Sequence, residues 1–116
     1  MFKNVVLSAI AAVVLGWSGA TAADDDQAVQ DLERAFPATI KPILKRSCFE
    51  CHSGDLTEAD IDFSLFENVE QVRQHPIVWQ KVAEMLDSGQ MPPPDAKQPS
   101  DADRKALTEW VHSFLK

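Results

Sequence analysis

The chain of 116 residues contains two cysteines, Cys48 and Cys51, three positions apart and followed at once by His52. Two cysteines cannot build the multi-disulfide framework on which small secreted domains often rely in place of a large core. On a helical turn, residues i and i+3 share a face, so both thiols point the same way with an imidazole beside them. Whatever supplements the core of this small chain is expected to be gripped there.

The amino terminus bears on the chemistry of that turn. Lys3 precedes a run from Val5 to Trp17 that is apolar except for Ser8 and Gly16, and Ala20-Thr21-Ala22 supplies the small residues that a signal peptidase accepts. Residues 1–22 therefore read as a signal peptide and 23–116 as one small domain. An uncleaved anchor would need roughly 20 apolar residues, more than this run offers. No cysteine lies in or just after the segment, which disfavours a lipid anchor. The mature domain is expected in the periplasm, free of the membrane.

Removal of residues 1–22 takes away Lys3 and no acid, leaving 94 residues with 10 basic and 18 acidic groups, net −8. Nucleic acid is excluded as a partner by that charge, and a basic docking patch on another protein suits it. A domain of 94 residues is marginal on its own core and needs a disulfide, metal, cofactor or partner.

Helical spacing dominates the mature segment. Asp24, Asp25 and Asp26 precede Ala28, Val29, Leu32 and Phe36, a short first helix that Pro37 is expected to stop. Thr39 is expected to cap a second helix that tolerates Pro42 in its first turn, buries Ile40, Ile43 and Leu44 and runs into the cysteine pair. Ser53 to Phe63 reads as a solvated loop; Asp60 and Asp62 lack the glycine and closing glutamate of a calcium loop. Ser64-Leu65-Phe66-Glu67 reads as a capping box opening a helix of about two turns with Val69 and Val72, packed by Phe66. Pro76 opens the next helix, with Val78, Trp79, Val82, Met85 and Leu86 on its apolar face and Gly89 at its end. The stiff stretch Gln90-Met91-Pro92-Pro93-Pro94 follows. Ser100 caps a last helix carrying Leu107, Trp110, Val111, Phe114 and Leu115. No stretch alternates with period two, so the fold class is all-α.

Cys-x-x-Cys-His is the attachment pattern of c-type haem. Cys48 and Cys51 can add to the two vinyl groups of one porphyrin while His52 reaches the iron as proximal ligand. Export agrees, since such attachment takes place outside the bacterial cytoplasm. A plain disulfide needs only the two thiols. A thioredoxin-like dithiol would want a preceding strand and a βαβ setting, and a zinc site would want a second pair of ligands. For the distal iron ligand the candidates are Met91, Met85, His75 and His112. Met85 sits on a core stripe, His112 on a polar face and His75 at a helix start. Met91, in a loop between Gly89 and three prolines, is well placed to hold a soft thioether against iron.

These residues resemble the single-haem class I cytochromes c. More narrowly, Pro42-Ile43-Leu44 with Cys48-x-x-Cys51-His52, Trp79 with Lys81 and Val82, Gly89-x-Met91-Pro92-Pro93 and Leu107-x-x-Trp110 look like the planctomycete-type cytochrome c domain. The resemblance implies four to five helices around one covalently attached haem, Met91 as distal ligand and an aromatic contact where the first and last helices cross. In the absence of tyrosine, Arg73, Trp79 and Lys97 are candidates to meet the haem propionates.

The expected function is one-electron transfer between redox proteins by a periplasmic monomer that turns over no substrate. If Met91 does not ligate, the same fold reads as a gas sensor or weak peroxidase; if no haem is attached, as a small dithiol or interaction module. Because the ring would fill the core, replacing both Cys48 and Cys51 by Ala is expected to leave the polypeptide largely unstructured. Far-ultraviolet circular dichroism checks this, and a native-like helical signal would refute it.

Overall fold

The computed structural model describes residues 8–14, 16, 22–53, 56–57 and 60–116. Most of the expected signal peptide lies outside the described residues. Among those described, no helix is long and apolar enough to cross a membrane. The architecture is all-α: α1 (Ala22–Ala35), α2 (Lys41–Ser47), α3 (Val69–Arg73), α4 (Pro76–Asp87) and α5 (Asp101–Leu115). The extended exception is two short antiparallel segments after the cysteine turn, with His52 opposite Thr57 and Ser53 opposite Leu56.

The first departure from expectation lies between α1 and α2. Pro37 does not stop the helix and Thr39 does not cap a new one. Instead Phe36–Ile40 form a π-helical turn, and the Lys41 N–H donates to the Phe36 carbonyl five residues back. Ala35, Ile40 and Lys41 all keep right-handed helical dihedrals, so no position here has the extended backbone that a capping side chain requires. A wider turn makes room for the proline ring and absorbs its missing donor. The resulting register buries Phe36 and Ile40 almost completely.

The second departure concerns the start of α3. Ser64 does not open it. Asp62 accepts from the Ser64 N–H and shapes a 3-10 turn over Phe63–Leu65. The helix begins after Asn68, whose Oδ1 accepts from the Gln71 N–H at 3.0 Å, while Gln71 Oε1 accepts from the Glu67 N–H. This is a reciprocal capping arrangement with Asn and Gln in place of Ser and Glu. Phe66 lies outside α3 and is nevertheless buried, as expected of it. At α5 the expected cap is present, Ser100 Oγ accepting from the Asp103 N–H at 3.1 Å. Gly89, at φ +71°, ends α4 in the left-handed region that suits glycine.

Trp79 of α4 is fully enclosed. Its ring contacts Phe36 at 6.3 Å, Trp110 at 5.8 Å, Phe63 at 5.7 Å and Phe66 at 5.3 Å between centroids. The first and last helices meet where Trp110 packs on Phe36 at 5.2 Å and donates from Nε1 to the Leu32 carbonyl at 3.2 Å. Among the described residues, Lys41 is the buried charged side chain. Its Nζ donates to the Phe66 carbonyl at 2.7 Å and pairs with Glu67 Oε1 at 2.6 Å, tying α2 to the segment before α3. The Lys41 hydrogen bond holds the Glu67 carboxyl below its ordinary range.

The caps give a direct check on both departures. Asn68→Ala is expected to lower the unfolding free energy by about 1 kcal/mol, and Thr39→Ala, at an exposed position that caps nothing, to change it by less than ~0.5 kcal/mol. Denaturant titration of the matured protein measures the two.

Candidate functional site

The cysteine turn grows directly out of α2. The Cys48 N–H donates to the Leu44 carbonyl at 2.8 Å, and the His52 N–H closes back on the Cys48 carbonyl at 3.0 Å. The motif thus occupies one tight turn, as its spacing predicts. Both cysteines are free thiols. Cys51 is exposed and Cys48 half-buried. Burial pushes the Cys48 thiol up from 9.0 to about 11, so it stays uncharged at neutral pH. A catalytic dithiol depends on a lowered thiol pKa, the opposite of what Cys48 shows.

His52 is half-buried, with its ring edge-on to Phe63 at 5.6 Å. Its Nδ1 is buried without a hydrogen-bond partner among the described residues. The imidazole is oriented by packing and not committed to a structural hydrogen bond through that atom.

These groups border a cavity of about 400 Å³ whose walls are largely apolar, with Leu44, Ile61, Phe63, Val82, Leu86 and Leu107 among them. Cys48, Cys51 and His52 line it, and so does Met91. Met91 is delivered by the turn after α4, where the N–H groups of Gln90 and Met91 both donate to the Met85 carbonyl, at 3.0 and 3.3 Å. All four residues singled out in the sequence therefore share one lining.

Of the other distal candidates, Met85 lines the same cavity, which the reading of it as core filler did not foresee. His75 borders a separate hollow of about 220 Å³ that Phe66 also lines, and its ring packs edge-on to Phe66 at 5.5 Å. His112 is paired with Asp87 at 2.9 Å across α4 and α5. Neither histidine lines the main cavity.

Three cations, Arg46, Lys81 and Lys97, border the cavity against one acid, Glu50. Lys97 was among the expected propionate partners. Arg73 was too, but it pairs with Glu33 and Glu70 and is not in the lining. Trp79 is enclosed in the aromatic cluster, with its Nε1 unpartnered among the described residues. Arg46 and Lys81 were missed. Their signal was present as positions: Arg46 two residues before Cys48, and Lys81 four before Met85 and so on the same face of α4.

Two adjacent thiols, an uncommitted imidazole, thioether sulfurs, apolar walls and a cationic border together fit haem c, which needs all of these and little else. Residues 48–95, the stretch that holds all four candidate site residues, match the family model described as planctomycete cytochrome C. Helices α1, α2 and α5 lie outside the matched stretch. No curated protein and no solved structure matches the chain.

Proposed function

We propose that this protein is a periplasmic electron carrier with one haem c per chain and histidine/methionine axial ligation. The observation that carries the reading is the common cavity lined by Cys48, Cys51, His52 and Met91. When bound, haem supplies one reversible electron at its iron. Cys48 and Cys51 would hold the ring through thioether bonds, and the His52 imidazole and Met91 thioether would be the donors to its iron. Ligation by His52 and Met91 together would raise the potential and leave no open iron position, which suits transfer without substrate turnover. The apolar walls would limit contact between water and a bound haem. Arg46, Lys81 and Lys97 offer charges of the sign that propionates need.

Docking follows from charge. The exported 94 residues carry net −8, which favours a partner with a basic patch. Electron-transfer contacts of this kind are small and transient, and a monomer suits them.

Absorption spectra of the oxidised and reduced protein, matured in a periplasm competent for haem attachment, test the reading. A low-spin spectrum with the weak near-infrared band of sulfur bound to ferric iron is expected; colourless protein would overturn it. Met91→Ala is expected to abolish that band and open the site to carbon monoxide, whereas Met85→Leu is expected to keep the band and leave carbon monoxide excluded. With the physiological partner, raising ionic strength from 0.01 to 0.15 M shortens the screening length from about 30 to about 8 Å. Association is expected to slow by about tenfold, measured by stopped-flow reduction; salt-independent rates would remove the docking proposal.

A further inference from the structure

The loop that carries Met91 has few means of fastening itself. Pro92, Pro93 and Pro94 have no N–H, so these three residues offer only carbonyl oxygens and are gripped by donors outside them. Its entry is held by the backbone bonds to the Met85 carbonyl. Its exit is held by the Ala96 N–H, which donates to the Pro93 carbonyl at 2.9 Å, and by a side chain that also reaches Pro92. Gln98 Nε2 donates toward the carbonyls of Pro92 at 3.3 Å, Pro93 at 2.8 Å and Ala96 at 3.1 Å. Gln98 Oε1 in turn accepts from Arg104 Nη2 of α5 at 2.9 Å. Arginine only donates and carbonyls only accept, so one orientation of the amide suits all four contacts, its two N–H hydrogens being shared among three carbonyls. Pro92 and Pro93 line the cavity beside Met91, while Gln98 and Arg104 stand outside it.

We infer that Gln98, braced by Arg104, is a latch that keeps the Met91 loop closed over the cavity, and so a positioning residue for the distal ligand. The inference rests on the proposed ligation by Met91. The carbonyl of Pro92 is one residue from Met91, so freeing it lets the thioether swing away. Single exposed hydrogen bonds contribute little, but here one amide joins three points of a loop that has no donors of its own between residues 92 and 94. An external ligand enters only when the thioether leaves, so its association rate reports the open fraction of the loop.

The test uses matured ferric protein and cyanide as the probe, with circular dichroism and the near-infrared sulfur band recorded alongside. Gln98→Ala removes the latch. Gln98→Glu keeps the size and the Arg104 contact but replaces the donor with a carboxylate facing three carbonyls. Each is made also in a Met85→Leu background, so that a thioether signal can come only from Met91. Both Gln98 variants are expected to bind cyanide about tenfold faster than their parents, equivalent to ~1.4 kcal/mol, with unchanged helical content. Arg104→Ala is expected to have the same sign and a smaller effect. Rates within twofold of the parent for both Gln98 variants would overturn the latch, even if their unfolding midpoints fall. Absence of the sulfur band in the parent, with cyanide binding unaltered by Met91→Ala, would instead overturn the ligation and the latch together.

Discussion

The enclosure of Trp79 is the interaction on which the rest depends. One indole, fully removed from water, meets Phe36 at the end of α1, Trp110 on α5 and both Phe63 and Phe66 from the segment before α3. Aromatic rings contribute large buried areas and prefer the tilted and edge-on contacts seen here. Phe63 then passes the constraint to His52, whose ring it meets edge-on. The imidazole is held by the same cluster that holds the helices together. Site and core are one packing problem.

That cluster leaves a largely apolar hollow of about 400 Å³ beside it. Protein interiors are close-packed, and a hollow of this size costs contacts that a short chain cannot spare. A flat apolar ring anchored at Cys48 and Cys51 would supply them, which joins stability and function in one group. The uncharged Cys48 thiol suits such a wall. The cations at the border carry the opposite sign to the domain as a whole.

The site residues were legible because their chemistry is written in local spacing. Cys48, Cys51 and His52 need only one turn to converge, and a helical reading of that turn is enough. Met91 stood out because a methionine among three prolines has no ordinary packing role. The helix joints were harder. Pro37 reads as a stop, but a π-helical turn lets the chain pass over it, and nothing local distinguishes the two outcomes. The burial of Phe36 and Ile40 against distant helices selects the second. Asn68 with Gln71 carries the same capping logic as Ser64 with Glu67, and the choice between them follows from Asp62 taking the Ser64 N–H and from Lys41 holding Phe66 and Glu67 in place.

From the sequence alone came the helical class and the turn that brings Cys48, Cys51 and His52 together, because periodicity and motif spacing are properties of neighbours along the chain. Only the tertiary structure decided that Met85 shares the cavity with Met91, that His75 and His112 do not line it, and that Lys41 is buried. It also brought Arg104 to Gln98 and Gln98 to the proline loop. Those facts rest on which helix faces meet, and that depends on the summed packing of residues far apart in the chain.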